Sequence, residues 1–268
     1  MLMVHIAGTI AWCAVMAAAE GPAGPVLRVP LAPRAVAIDG HIGRAEWEGA
    51  AVVRRLWLPG NATALPVPTE LLLQYDPANL YLAARCTESE QGYPKAFPRQ
   101  PTDLLNDDDA VQVVLGTADS FAVARDVLQM GGYANAQGQP VSSADHYYQF
   151  TANAVGARAR TYNESPLERP LFDAEVSRNE RGWSVEMRVP FASAGIGDPS
   201  GQPMFVNLFR FRPPEMAGWH LPAFGGYAPM PFGELVLLPR GSEAERTAEE
   251  ALPPRTRVDK PRDPQARL

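Results

Sequence analysis

From residue 182 to 189 the chain reads Gly-Trp-Ser-Val-Glu-Met-Arg-Val, apolar at every second position. Trp183, Val185, Met187 and Val189 share one face of such a segment, and Ser184, Glu186 and Arg188 take the other. A two-residue period is that of a strand with one buried face, and a buried face needs a second layer to cover it. Further strand-like runs lie at 69–75, 79–87, 110–115, 146–153, 157–162, 204–211 and 232–238. Asp76-Pro77-Ala78 separates the first two, with proline at a favoured turn position, and Val155-Gly156 separates 146–153 from 157–162. Helical periodicity is sparse: one turn at 44–51 and a segment at 120–130 are the candidates. The 27 prolines in 268 residues exceed the usual share of about 5% and also disfavour helices. The expected fold is all-β, an antiparallel β-sandwich of jelly-roll-like form with one or two short helices.

Hydrophobic residues make up 46% of the chain and charged residues 20%, enough apolar side chains for a real core. A net charge of −6, with no lysine–arginine stripe, makes a phosphate backbone a poor partner, so nucleic-acid binding is excluded. The ends differ from the middle. Residues 1–19 are nearly all apolar and finish in Ala17-Ala18-Ala19, the pattern of a cleaved export signal. The apolar run from 6 to 19 is shorter than the ~20 residues of a membrane-spanning helix. Residues 20–30 read as a flexible leader and 31–239 as the sandwich. Residues 240–268 carry four prolines and no aromatic ring, which reads as a disordered tail. The chain is thus expected outside the cytoplasm, secreted or periplasmic. Without residues 1–19 Cys86 has no partner and reads as a small buried hydrophobe.

The order of segments resembles the family 9 carbohydrate-binding modules. The residues that carry it are Ile38-Asp39-Gly40 with Ala45-Glu46-Trp47, then Tyr75-Asp76-Pro77-Ala78-Asn79-Leu80-Tyr81-Leu82, then Asp108-Asp109-Ala110-Val111-Gln112-Val113. Tyr148 to Asn153, Gly182 to Glu186 with Val189-Pro190-Phe191, and Phe232-Gly233-Glu234-Leu235 follow in the same order. The resemblance implies a saccharide end held between two tryptophans, with polar side chains reading its hydroxyls. An aromatic face covers the C–H face of a sugar while polar groups meet its rim. On that basis Trp219 is the expected floor and Asn153 a polar contact. Leu104-Leu105-Asn106 stands where the second tryptophan belongs, Gln112 where the family has a glutamate, and Thr151 where it has an arginine. Trp219, Asn153, Gln112 and Asn106 are therefore the expected ligand-binding residues, with Tyr93 and Phe97 as substitutes for the missing aromatic wall.

Asp103, Asp107, Asp108 and Asp109 form the densest acidic cluster. Two readings stand beside each other: calcium held by Asp107, Asp108 and Asp109 through oxygen ligands, or a solvated acidic edge that blocks strand pairing. Glu175, Glu186 and Asp109 are the carboxylates available for glycoside hydrolysis, but no nucleophile elbow, metalloprotease helix or phosphate-binding glycine loop occurs. The expected function is a non-catalytic module that binds a glycan or related polar ligand through a loop aromatic, accessory to glycoside hydrolysis at most. One alternative is a structural or partner-binding envelope protein on the same sandwich with its sugar site decayed. Another is a haem-binding relative, for which Met130, Met204, Met216 or Met230 could pair with His146 or His220. Trp183 is expected in the core, Trp47 under the sandwich, and Trp57 either in the core or exposed on a loop.

Overall fold

The computed structural model describes residues 25–59, 63–88, 94–117, 143–144, 147–200, 203–220 and 230–239. The export signal, the tail, the helix at 120–130, Tyr93, Met130, His146 and the side chain of Met230 lie outside the described residues.

Two sheets pack face to face. The smaller runs β10 (Asp173–Asn179), β11 (Gly182–Pro190), β4 (Asn79–Thr87), β3 (Thr69–Tyr75), β2 (Ala51–Val53), antiparallel throughout. The larger runs β1 (Val26–Pro30), β15 (Gly233–Leu238), β12 (Met204–Arg212), β5 (Ala110–Thr117), β7 (Tyr147–Asn153), β8 (Arg158–Tyr162), β9 (Ser165–Pro166). β13 (Glu215–Gly218) adds a hairpin to β12, and β6 (Ser143–Ala144) pairs with β14 (Met230–Pro231) apart from both sheets. The β1–β15 pair is parallel. The fold is the expected all-β sandwich.

Alternation explains the layering. Trp183, Val185, Met187 and Val189 of β11 meet Val111, Val113 and Leu115 of β5, Phe150 and Ala152 of β7, and Val206 and Leu208 of β12 in one core between the sheets. Trp183 therefore packs as its pattern predicts. The even positions of β5 and the odd positions of β7 and β12 point away from that core, where Val114, Tyr147, Phe205, Phe209 and Phe211 form a second apolar cluster. A third lies outside the smaller sheet, where Trp47, Val36 and Ala50 cover Leu72, Tyr81 and Ala83.

That third cluster corrects the reading of Glu186 as a plain outward position. Glu186 does point away from the inter-sheet core, but residues 36–50 fold over it. Its carboxylate accepts bonds from Trp47 Nε1 at 2.8 Å, Gly40 N at 3.0 Å and Asp39 N at 3.1 Å. Burial pushes its pKa up against those donors. Gly40 has φ +81°, and a Cβ there would stand 2.7 Å from the Val176 carbonyl carbon, so this close approach requires glycine.

Three further differences have local causes. Residues 26–30 of the expected leader are strand β1, with Leu27 and Val29 buried in the main core. The expected turn at 44–51 is one loop of chain closed by Trp47 N to Gly43 O at 3.1 Å, not a helix. The helical element among the described residues is a 3₁₀ turn at Phe191–Ala194, closed by Gly195 at φ +72°. Among the described residues no helix is long and apolar enough to cross a membrane.

Candidate functional site

The four expected ligand residues do not converge. Trp219 is 7% exposed and belongs to the core between the sheets, so it is not a free loop aromatic. Its backbone N–H donates to Leu208 O at 2.9 Å, which draws the loop against β12. The ring fills space left by Gly233, where a Cβ would lie 2.5 Å and 2.7 Å from its Cζ3 and Cη2 atoms. Trp57, half-buried, bridges Gly218 beside it.

Gln112 lies on the other face of the same sheet, opposite Thr151. Its Nε2 donates to Thr151 Oγ1 at 2.9 Å, and its Oε1 accepts from Gln149 Nε2 at 3.4 Å. Thr161 Oγ1 then donates to Gln149 Oε1. This uncharged row is buried and framed by Phe209 and Tyr147. The positions at which the family would read a sugar are thus bonded to each other.

Asn153 is fully buried, and its amide is saturated. Nδ2 donates to Phe97 O and to Asp108 Oδ2, both at 2.8 Å. Oδ1 accepts from Val155 N at 3.1 Å and Ala157 N at 2.8 Å. Two donors and two acceptor sites are all that an amide has, so Asn153 has nothing left for a ligand. It is a strut that joins the β7–β8 turn to the loop before β5.

The acidic cluster does not form an oxygen cage. Asp108 is held by Arg99 in a bidentate pair, Nη2 to Oδ1 at 3.0 Å and Nε to Oδ2 at 3.2 Å. Asp109 turns the opposite way, to the Arg210 guanidinium and to Lys95 N at 2.9 Å. Asp107 is exposed. Asp108 and Asp109 are thus engaged by different arginines, and among the described residues no group of three or more His, Cys, Asp or Glu is placed to hold a metal ion. Of the described haem candidates, Met204 is in the core between the sheets and Met216 packs on the opposite face.

Beneath this end of the sandwich lies a buried ion cluster. Arg210 bonds Glu88 at 2.8 Å and Asp109, its Cζ sits 5.0 Å from the Trp183 ring centre, and Arg212 reaches Glu88 at 3.0 Å. Burial pushes the Glu88 carboxyl up despite both guanidiniums. It also pushes the neighbouring Cys86 thiol up to about 11, and Cys86 lies in the core as a small buried hydrophobe. The three candidate hydrolytic carboxylates each have a different setting. Asp109 is locked to Arg210, Glu186 is sealed, and Glu175 is an exposed edge residue paired in register with Glu186.

What the structure brings together instead is a surface at the same end. Phe97 is 60% exposed, Leu104 50% and Val155 38%. The Asn153 amide holds the Phe97 carbonyl and the Val155 N–H, while Asp108 N donates to Leu105 O beside Leu104. Arg99 lies over the Phe97 ring, Cζ to centroid 5.7 Å. Asn106 and Asp107 are exposed between these groups in the chain. Phe97 was legible as an aromatic in a long polar loop; Arg99 was not, because only the fold shows that Asp108 faces it.

No family model matches the chain, and no curated protein matches it. Solved structures do. One is a protein of Bacteroides uniformis provisionally described as carbohydrate-binding, 14% identical, TM-score 0.55, covering 80% of this chain and 100% of that one. Another is a family 9 carbohydrate-binding module of Caldicellulosiruptor kristjanssonii in complex with cellotriose, 17% identical, TM-score 0.51, covering 82% of this chain and 96% of that one. The chain therefore has the fold of the family 9 carbohydrate-binding modules.

Proposed function

We propose that this chain is a non-catalytic binding module, exported from the cytoplasm, that takes a glycan end on the surface built by Phe97, Leu104 and Val155. The observation that carries the reading is the convergence on one buried node. Of the four exposed large apolar side chains among the described residues, Phe97 and Val155 have their backbones bonded to Asn153, and Leu104 precedes Leu105, whose carbonyl accepts from Asp108 N. Exposed apolar groups on a fixed support are what a recognition surface needs, because little ordering entropy remains to be lost on binding. Phe97 offers the ring face that Arg99 does not cover to a sugar's C–H face, and Asn106 and Asp107, exposed further along the chain, are the proposed hydroxyl partners. The fold shared with a cellotriose-bound module supports the ligand class, and the apolar run at 1–19 supports export.

A glycan array probed with the chain, followed by titration of the best saccharide, tests this. Phe97→Ala should weaken binding by roughly 1–3 kcal/mol, the scale of one aromatic contact, with an unchanged melting temperature. Retention of no saccharide on the array would defeat the reading. One specific observation favours a second: Gln112, Thr151 and Trp219 are bonded or packed internally. If no glycan binds, the Phe97 surface serves a protein partner instead.

A further inference from the structure

Five described arginines are not exposed: Arg99, Arg158, Arg160, Arg210 and Arg212. Four of them reach a carboxylate, Arg99 to Asp108, Arg158 to Asp173, Arg210 to Glu88 and Asp109, Arg212 to Glu88. Arg160 reaches none among the described residues. It stands on β8 opposite Phe150, on the face turned toward the core. One terminal nitrogen touches Ser193 O at a long 3.5 Å, and Nε is buried with no hydrogen-bond partner. The guanidinium lies 5.9 Å from the Tyr148 ring centre, and Tyr148 stands against Tyr162 with centroids 4.9 Å apart. Arg169, exposed on the segment whose Leu167 N bonds Arg160 O, adds a second positive charge.

A guanidinium partly withdrawn from water, its Nε unpartnered and no carboxylate beside it among the described residues, is short of partners that a bound anion supplies. Burial lowers the Arg160 pKa and Arg169 lowers it further, while Tyr148 is the one group that acts in the opposite sense. The guanidinium is planar and presents parallel donors that match a carboxylate. Tyrosine rings beside it suit the body of a small organic ligand.

We propose that Arg160 anchors a carboxylate-binding subsite, walled by the Tyr148–Tyr162 pair and rimmed by Arg169, separate from the Phe97 surface. The shared chemistry is a carboxylate, carried either by a small free acid or by an acidic sugar.

Melting curves of the full chain in sodium glucuronate, sodium acetate and glucose, each against sodium chloride at equal ionic strength, test the proposal. Glucuronate should raise the melting temperature of the parent and of Phe97→Ala, and should lose that effect in Arg160→Gln. Acetate as effective as glucuronate assigns the site to the carboxylate alone. A larger glucuronate effect brings in the tyrosine wall. Where Arg160→Gln does not fold, Arg160→Lys carries the test: charge without the fork should bind glucuronate roughly tenfold more weakly, the loss of one charged hydrogen bond. The proposal is overturned if glucuronate does no more than chloride for the parent, or if it acts equally on Arg160→Gln or with equal affinity on Arg160→Lys.

Discussion

Replacing Asn153 separates a strut from a ligand contact. Asn153→Ala removes four hydrogen bonds. The Val155 and Ala157 N–H groups sit in a turn that water can reach, so each costs about 0.5 kcal/mol. The Phe97 carbonyl and the buried Asp108 carboxylate lose a donor that water cannot easily replace, about 1–3 kcal/mol each. The sum is about 3–7 kcal/mol, or roughly 6–28 °C in melting temperature for a domain of this size. Asn153→Asp keeps the acceptor but turns an anionic oxygen toward Phe97 O and Asp108. It should cost at least as much as alanine at neutral pH. Its folded pKa would be raised above the unfolded value near ~3.9, so stability is present below that value and is lost as pH rises through the folded pKa. Urea unfolding of the parent and both variants between pH 4 and 8 measures all of this. The reasoning fails if Asn153→Ala stays within ~1 kcal/mol of the parent while losing glycan affinity, for Asn153 would then touch the ligand.

Trp219→Ala should behave as a core deletion and cost about 3–5 kcal/mol in denaturant unfolding, close to Trp183→Ala; a near-neutral Trp219→Ala would restore the exposed-floor reading. His220 is pushed down from 6.5 to about 4 by burial. A depressed histidine contributes stability above pH 6.5 that is lost as pH falls toward 4, at most about 3 kcal/mol. The stability difference between the parent and His220→Phe should therefore fall over that window in buffered melts, and a flat difference would show that His220 is solvated.

Strands with alternation or a β-branched run were legible, and β3, β4, β5, β7, β8, β11, β12 and β15 lie where the pattern places them. Those that escaped are short, polar or masked by their neighbours in sequence. β10 reads Asp-Ala-Glu-Val-Ser-Arg-Asn and exists because β11 offers it a ladder. β1 is flanked by prolines that mimic a linker; an edge position lets Pro30 end the strand without loss of a ladder bond. At the site, Trp219 looked exposed because Gly218, His220 and Pro222 surround it in sequence. The space that receives its ring is made by Gly233, fourteen residues further on, and no local pattern announces that.

The motifs that carried the resemblance turn out to be joints between distant segments. Asp39-Gly40 and Trp47 close on Glu186. Asp76 caps its own turn through Ala78 N and Asn79 N and accepts from the Tyr81 hydroxyl. Asp108 and Asp109 tie β5 to the 95–99 loop and to Arg210, and Gly233 admits Trp219. A joint needs a particular residue at both ends, because a buried carboxylate without its donors or a Cβ inside an indole ring cannot be accommodated. Such residues mark a sequence wherever the fold is kept. An exposed side chain such as Phe97, the proposed ligand contact, has no buried carboxylate or glycine that demands it, so the fold leaves its identity open. The same sandwich can therefore keep every joint while its binding surface moves from one aromatic to another, which is why the fold could be read from residues that are not themselves the site.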